Sequence, residues 1–108
     1  MAWSRTTYQL IHQELPDGTT ILVLAGDLDL TTVPALTWDL EQALARPPRR
    51  LVLDLARVTF VDVAAARLLA GSPRSLPAAG PPVLRRASPE ARRVLALTGL
   101  DSLCVFDD

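Results

Sequence analysis

Short apolar runs alternate with charged or proline-rich punctuation, and the period of the runs changes along the chain. Thr7 to Leu15 mixes polar and apolar positions, which predicts a strand with one solvated face. Thr20 to Ala25 contains Ile21-Leu22-Val23-Leu24, apolar throughout, and predicts a more central strand. Between them, Pro16-Asp17-Gly18-Thr19 is a turn sequence with Gly18 available for positive φ, so the two strands are expected as an antiparallel hairpin. Gly26-Asp27-Leu28-Asp29-Leu30 ends the second strand. Thr32 is then placed to cap a helix that carries Pro34 in its first turn, where a missing N–H costs little. Val33, Leu36, Leu40, Ala43 and Leu44 fall on one face of that helix, and Pro47-Pro48 stops it.

Leu51-Val52-Leu53-Asp54-Leu55 is too apolar for a half-exposed strand and predicts a central parallel one covered by helices. A second helix is expected from about Val63 to Gly71. Ser72 to Pro82 includes Pro73, Pro77, Pro81, Pro82 and Gly80, so part of it must be irregular. Val83-Leu84 reads as a short strand. Ser88 is a cap with Pro89 at the first helical position; Gly99 suits the residue after that helix, with Leu100 folding back on Leu95. Leu103 to Phe106 is a last short strand. The pattern is α/β: a small mixed sheet, made of an N-terminal hairpin plus parallel strands, with helices mainly on one face. It predicts a single domain over residues 1–108, of which 1–6 are a loose terminus.

Composition narrows the function classes. The formal net charge is −1, so no global field draws in nucleic acid or anionic lipid. All 11 basic residues are arginine, and with the Ala, Leu and Pro content this suggests a GC-rich bacterial source. The lone Cys104 forbids an intrachain disulfide and reads as a buried small hydrophobe. No apolar run approaches the roughly 20 residues of a membrane span, and Met1-Ala2-Trp3-Ser4-Arg5 lacks a signal-peptide core. The expectation is a cytoplasmic protein without direct membrane insertion.

Four segments, in order, carry a family resemblance: Gly26-Asp27-Leu28-Asp29, Leu51 to Leu55, Phe60-Val61-Asp62, and Leu97-Thr98-Gly99-Leu100-Asp101. Together they resemble the STAS domain family, in its anti-sigma factor antagonist type. In that family the third segment continues as Asp-Ser-Ser-Gly, and the first Ser is a phosphorylation switch. Here Asp62 is kept, but Val63, Ala64 and Ala65 stand at the next three positions. The resemblance implies a non-enzymatic binding module without cofactor. Its partner is an anti-sigma factor or related kinase-like regulator, and its binding rim includes Asp29 and Asp62. Without a hydroxyl at Val63, the module is expected to be constitutive or controlled in another way. The alternative is an accessory or scaffold subunit of a larger signalling or transport complex, which needs no phosphosite. Thr59 and Ser72 are the nearest other hydroxyls, and turn or cap hydrogen bonding is the preferred reading of both.

On a helical wheel, Leu69, Ala65 and Ala66 should face the sheet. Val63, Arg67, Ala70 and, with a longer helix, Arg74 form an opposite stripe. That stripe, with Ala64, is the partner surface by resemblance; from the residues alone it is equally an ordinary exposed helix face. Asp27, Asp29, Asp54 and Asp62 fall at or just beyond strand ends that point one way. A metal pocket would need convergent oxygens, and phospho-receiver domains add a lysine that this chain lacks, so caps and loop hydrogen bonds are preferred and no metal is expected. Trp38 lies about 140° from Val33 on the wheel; it is either an interface anchor or seam packing, and packing is preferred. His12 alone makes neither a zinc site nor a catalytic pair. Arg85-Arg86 and Arg92-Arg93 read as a solvated face.

Overall fold

A computed structural model describes residues 8–71 and 79–108. In chain order the elements are β1 (Gln9–Glu14), β2 (Thr19–Leu28), α1 (Val33–Ala43), β3 (Arg50–Val61), α2 (Val63–Gly71), β4 (Val83–Arg85), α3 (Pro89–Leu97), a 3₁₀ turn at Leu100–Leu103, and β5 (Val105–Asp107). The strands form one five-stranded sheet in the order β1-β2-β3-β4-β5. β1 and β2 are antiparallel, and the remaining neighbours are parallel. This is the expected small mixed α/β sheet.

The hairpin turn forms because Gly18 takes φ +92 and Asp17 accepts a hydrogen bond from the Thr19 N–H at 2.9 Å. The Gly18 carbonyl then accepts from the Arg49 N–H at 2.8 Å, which aligns the start of β3 beside β2. Leu22, Leu24 and Leu28 of β2, Leu51, Leu53 and Leu55 of β3, and Leu84 of β4 point to one face. There they meet Leu36 and Leu40 of α1, Ala65, Ala66 and Leu69 of α2, and Ala91 and Leu95 of α3. Alanines on α2 bring its backbone close to the leucine layer. Ile21, Val52 and Val83 line up on the sheet's other face as a smaller cluster.

Several boundaries differ from those expected. β2 continues through Gly26 and Asp27 to Leu28, with breaks in register between Val23 and Ala25 and between Gly26 and Asp27. β3 runs on past Leu55 to Val61, pairing with the end of β2 through two register shifts in which β3 carries the extra residues, and exposed Ala56, Arg57, Thr59 and Phe60 interrupt its apolar run. Leu103 belongs to the 3₁₀ turn, and the last strand starts only at Val105. Cys104 is half-buried rather than buried; burial, helped by Asp101, raises its thiol pKa to about 11. The end of α3 is as expected in part: Gly99 takes φ +75 and its N–H reaches the Ala96 carbonyl at 3.1 Å. Thr7, Ser72 and Arg74 lie outside the described residues.

Candidate functional site

The parallel strands β2 and β3 end side by side, with Leu28 opposite Val61 and Asp27 opposite Phe60. Each is followed by a helix, so the loop into α1 and the start of α2 are neighbours. Asp62 joins them. Its own N–H donates to the Leu28 carbonyl at 3.0 Å. One carboxylate oxygen accepts from the Ala65 N–H at 2.9 Å and caps α2. The other accepts from the Leu30 N–H at 3.0 Å, reaching across to the other loop. A single carboxylate thus satisfies an orphan helix donor and fixes the loop beside it.

Asp29 organises that loop from within. Its Oδ1 accepts from the Thr31 N–H at 2.9 Å, the Thr31 hydroxyl at 2.6 Å and the Thr32 N–H at 3.2 Å. The Thr31 hydroxyl and these amides hold its carboxyl below the ordinary value. Thr32 does not cap α1 with its side chain as expected. Its hydroxyl accepts from the Asp29 N–H at 2.9 Å and donates to the Asp27 carbonyl at 2.9 Å. The first N–H of α1, that of Val33, is met by the Asp29 backbone carbonyl at 2.9 Å, while the Asp29 carboxylate closes an Asx turn on the Thr31 and Thr32 amides that precede the helix. The hydroxyl of Thr59 donates to Asp27 Oδ1 at 2.6 Å, a bond between neighbouring strands rather than the expected turn or cap bond.

Asp27, Asp29 and Asp62 are therefore gathered at one end of the sheet, each engaged by donors of this chain. Asp54 is not among them. It lies within β3, paired with Val23 and Arg85, because β3 outruns the expected strand by six residues. Among the described residues no group of His, Cys, Asp or Glu is placed to hold a metal ion.

Along α2, Ala65, Ala66 and Leu69 face the core as expected. Val63 is 42 % exposed, Arg67 is exposed and Ala64 is partly so. Ala70 departs from the expected outward stripe: it is only 3 % exposed and packs in the core. The helix tilts its buried arc toward the side of Ala66 and Ala70, which share it at i and i+4. Ala65, in place of the family's glycine, is helical; among described non-glycine residues only Arg86 has positive φ. Trp38 does not pack at a seam but is 62 % exposed. Arg85 and Arg92 are not free solvated charges either. Arg85 lies 3.7 Å from Asp107, while Arg92 pairs with Asp108 and stacks on the Phe106 ring, 4.6 Å from its centre.

Two apolar residues at this end stand out by their exposure. Leu30 is 72 % exposed between Asp29 and Thr31, and Phe60 is 54 % exposed opposite Asp27. A signal existed for each: Leu30 is a large apolar residue inside a turn, and Phe60 is out of phase with the buried Val61. At the far end, an open cleft of about 180 Å³ lies between the hairpin turn and Arg46-Pro47-Pro48. No helix among the described residues is long and apolar enough to cross a membrane.

A family model described as the Mlab, STAS domain matches residues 11–105. Solved structures share the fold. An anti-sigma factor antagonist from Mycobacterium paratuberculosis is 28 % identical, with a TM-score of 0.80 over 94 % of this chain and 86 % of that one. The Bacillus anti-sigma factor antagonist SpoIIAA in its unphosphorylated form is 24 % identical, with a TM-score of 0.75 over 93 % of this chain and 89 % of that one. RsbS from Moorella thermoacetica is 22 % identical, with a TM-score of 0.70 over 91 % and 85 %. No curated protein sequence matches. With a five-stranded mixed sheet, three helices on its leucine face and a family match over nearly the whole chain, the protein belongs to the STAS domain family.

Proposed function

We propose that this chain is a non-enzymatic regulatory module that docks a protein partner through the α2 start and the adjoining Asp29 loop, in the manner of an anti-sigma factor antagonist. The partner class is an anti-sigma factor or related kinase-like regulator. The residues assigned to the docking rim are Asp29, Asp62, Val63, Ala64 and Arg67; Arg74 extends the assignment into the undescribed segment, and buried Ala70 is withdrawn from it. One observation carries the reading: the first residue of α2 is an exposed valine immediately beside a carboxylate that pins two loops together. A serine there would be a phosphate acceptor at a helix start, where added charge acts strongly. Valine keeps the position accessible and removes the acceptor, so docking is constitutive or controlled by synthesis or competition.

A second reading, an accessory subunit of a larger assembly, is favoured by the same loss, since a permanent subunit needs no switch. Affinity capture from the source cytoplasm with wild type and with Val63→Glu separates the two. Retention of a kinase-like anti-sigma factor by wild type and its loss with Val63→Glu is the expected result. A stable partner indifferent to Val63→Glu would overturn docking at this helix start and favour the subunit.

A further inference from the structure

The two edges of the sheet are built differently. β5 is three residues long and ends in Asp107-Asp108, a short acidic edge that discourages further pairing. β1 is six residues long, keeps an unbroken register with β2 and contains no proline, lysine or bulge. Both its ends are fixed: the Tyr8 hydroxyl donates to Asp39 of α1 at 2.8 Å, and the Leu15 N–H donates to the Thr19 carbonyl at 2.8 Å. The second bond sets the phase of the ladder. Antiparallel pairs alternate between bonded and non-bonded, so Leu15, Gln13, Ile11 and Gln9 turn their main-chain groups toward β2. Leu10, His12 and Glu14 turn theirs outward, where no strand follows among the described residues. Side chains alternate too. Ile11, Gln13 and Leu15 stand on the face opposite the leucine layer, beside Val23 and Ile21, and all three are exposed. His12 and Glu14 stand on the other face, 3.2 Å apart.

We infer that the β1 edge pairs with the β1 edge of a second copy of this chain, antiparallel about a two-fold axis at Gln13. The outward groups belong to even-numbered residues, so even must bond with even, and the axis falls on Ile11, His12 or Gln13. An axis at His12 sets that imidazole against its own copy and Glu14 against Leu10. An axis at Ile11 sets His12 against Leu10 and leaves Leu15 without a strand opposite. An axis at Gln13 sets His12 opposite Glu14 twice and Ile11 opposite Leu15 twice, with Gln13 against Gln13. Only this last register matches imidazole with carboxylate and apolar with apolar in both halves, and such cross-strand pairs are what stabilise a sheet. It supplies about four main-chain hydrogen bonds between His12 and Glu14 of the two copies. The contact is self-complementary and closed, because it uses β1 of both copies and leaves only the short acidic β5 edges outside. The Asp62 clamp takes no part, so this inference stands apart from the proposed docking rim.

An edge contact of this length belongs with interfaces of under about 1,200 Å², so a weak dimer is expected, with a dissociation constant on the order of 100 µM. Sedimentation equilibrium of the full chain from about 10 µM to 1 mM brackets that value. Ile11→Lys puts a charge into both apolar pairs and is expected to raise the dissociation constant roughly tenfold or more. Leu97→Lys, at a 77 % exposed position on α3, and Val63→Glu, at the docking rim, are expected to leave it unchanged. The register is read by oxidative cross-linking of Ile11→Cys, His12→Cys and Gln13→Cys, each combined with Cys104→Ala. A two-fold at Gln13 makes residue 13 a non-bonded pair with its copy, Cα atoms about 4.5 Å apart and within disulfide reach. Residues 11 and 12 then lie diagonal to their copies, beyond the roughly 7 Å limit. Gln13→Cys is therefore expected to form covalent dimers roughly tenfold faster than the other two.

A chain that stays monomeric at 1 mM overturns the inference and leaves the edge to an extended segment of another protein. Dimers indifferent to Ile11→Lys overturn the edge contact, and dimers lost with Val63→Glu assign the interface to the rim instead. Faster cross-linking at Ile11→Cys or His12→Cys overturns the register and with it the His12–Glu14 match on which the inference rests. Assembly beyond dimers overturns the two-fold closure. Urea midpoints confirm that each variant folds; an Ile11→Lys protein that does not is replaced by the milder Ile11→Thr.

Discussion

Replacing Asp62 tests the geometry of the site independently of any partner. Asp62→Ala removes two hydrogen bonds: the cap to the Ala65 N–H, which is partly buried, and the cross-loop bond to the Leu30 N–H, which is exposed. Loss of an N-cap costs about 1 kcal/mol. The exposed bond is worth about 0.5 kcal/mol, because water replaces the acceptor. The backbone bonds of residue 62, to Leu28 and from Ala66, survive the change. The sum is roughly 1.5 kcal/mol, which at a urea slope of about 1–3 kcal/mol per molar moves the midpoint by roughly 0.5–1.5 M with no change in slope. Asp62→Asn divides the two bonds. Asparagine caps about as well as aspartate, but its second corner is an NH₂ group that would face the Leu30 donor, so about 0.5 kcal/mol is lost. The assay is urea unfolding of the three proteins, with hydrogen exchange of the Leu30 and Ala65 amides. Leu30 should exchange faster in both variants and Ala65 only in Asp62→Ala. Equal destabilisation by the two variants, or unchanged exchange at Leu30 in Asp62→Ala, would refute a carboxylate that joins the loops.

Three further outcomes follow from the same structure. Trp38→Ala should change stability by no more than about 0.5 kcal/mol, because the ring is mostly in water; a loss of 3 kcal/mol or more in thermal or urea unfolding would restore a packed tryptophan. Cys104, with its thiol pushed up to about 11, should react with a disulfide reagent at pH 8 roughly a hundredfold more slowly in the native state than in urea; equal rates would show an open thiol. Asp29 has a folded pKa below its ordinary value of 3.8, through Thr31 first, so its contribution is present at neutral pH and is lost as pH falls through that lowered value. Carbon-detected titration of the Asp29 carboxyl should give a midpoint below 3.8, and one at or above it would mean that the loop bonds do not persist in solution.

The fold was legible where apolar periodicity is strong. The leucines of β2 and β3 and the Leu36–Leu40 face of α1 read correctly because each is buried against several neighbours. The end of β3 was not legible, since Ala56, Arg57, Thr59 and Phe60 are exposed and two bulges in β3 itself break the alternation there. The same error displaced Asp54 to a strand end. Thr32 misled because a hydroxyl before a proline-led helix looks like a cap, while its hydroxyl is engaged by the Asp29 N–H and the Asp27 carbonyl instead. Ala70 misled because it lies at the edge of the buried arc: Ala65, Leu69, Ala66 and Ala70 span about 140° of the wheel, and Ala70 is its last member. The exposure of Leu30 was not legible, since a single apolar residue in a turn carries no periodic signal, and Phe60 enters the sequence pattern only as part of the Phe60-Val61-Asp62 segment.

Asp62 and Val63 differ in what they contribute, and the difference bears on control. Asp62 acts on the structure: its two bonds set the distance between the α1 loop and the α2 start whether or not a partner is present. Residue 63 acts on the surface: its side chain makes no cap and projects into solvent at the first position of the helix. A hydroxyl at 63 would let charge be added there without touching the clamp, which is how a switch can alter docking and leave the fold intact. With valine at that position the clamp is unchanged and residue 63 offers no acceptor for a phosphate. The neighbouring Thr59 hydroxyl is already committed to Asp27. The loop bonds of the rim are therefore already formed in the free protein. Such a surface loses little conformational entropy on binding, and under the proposed function its occupancy is set by the amounts of protein, partner and competitors rather than by a covalent change at this site.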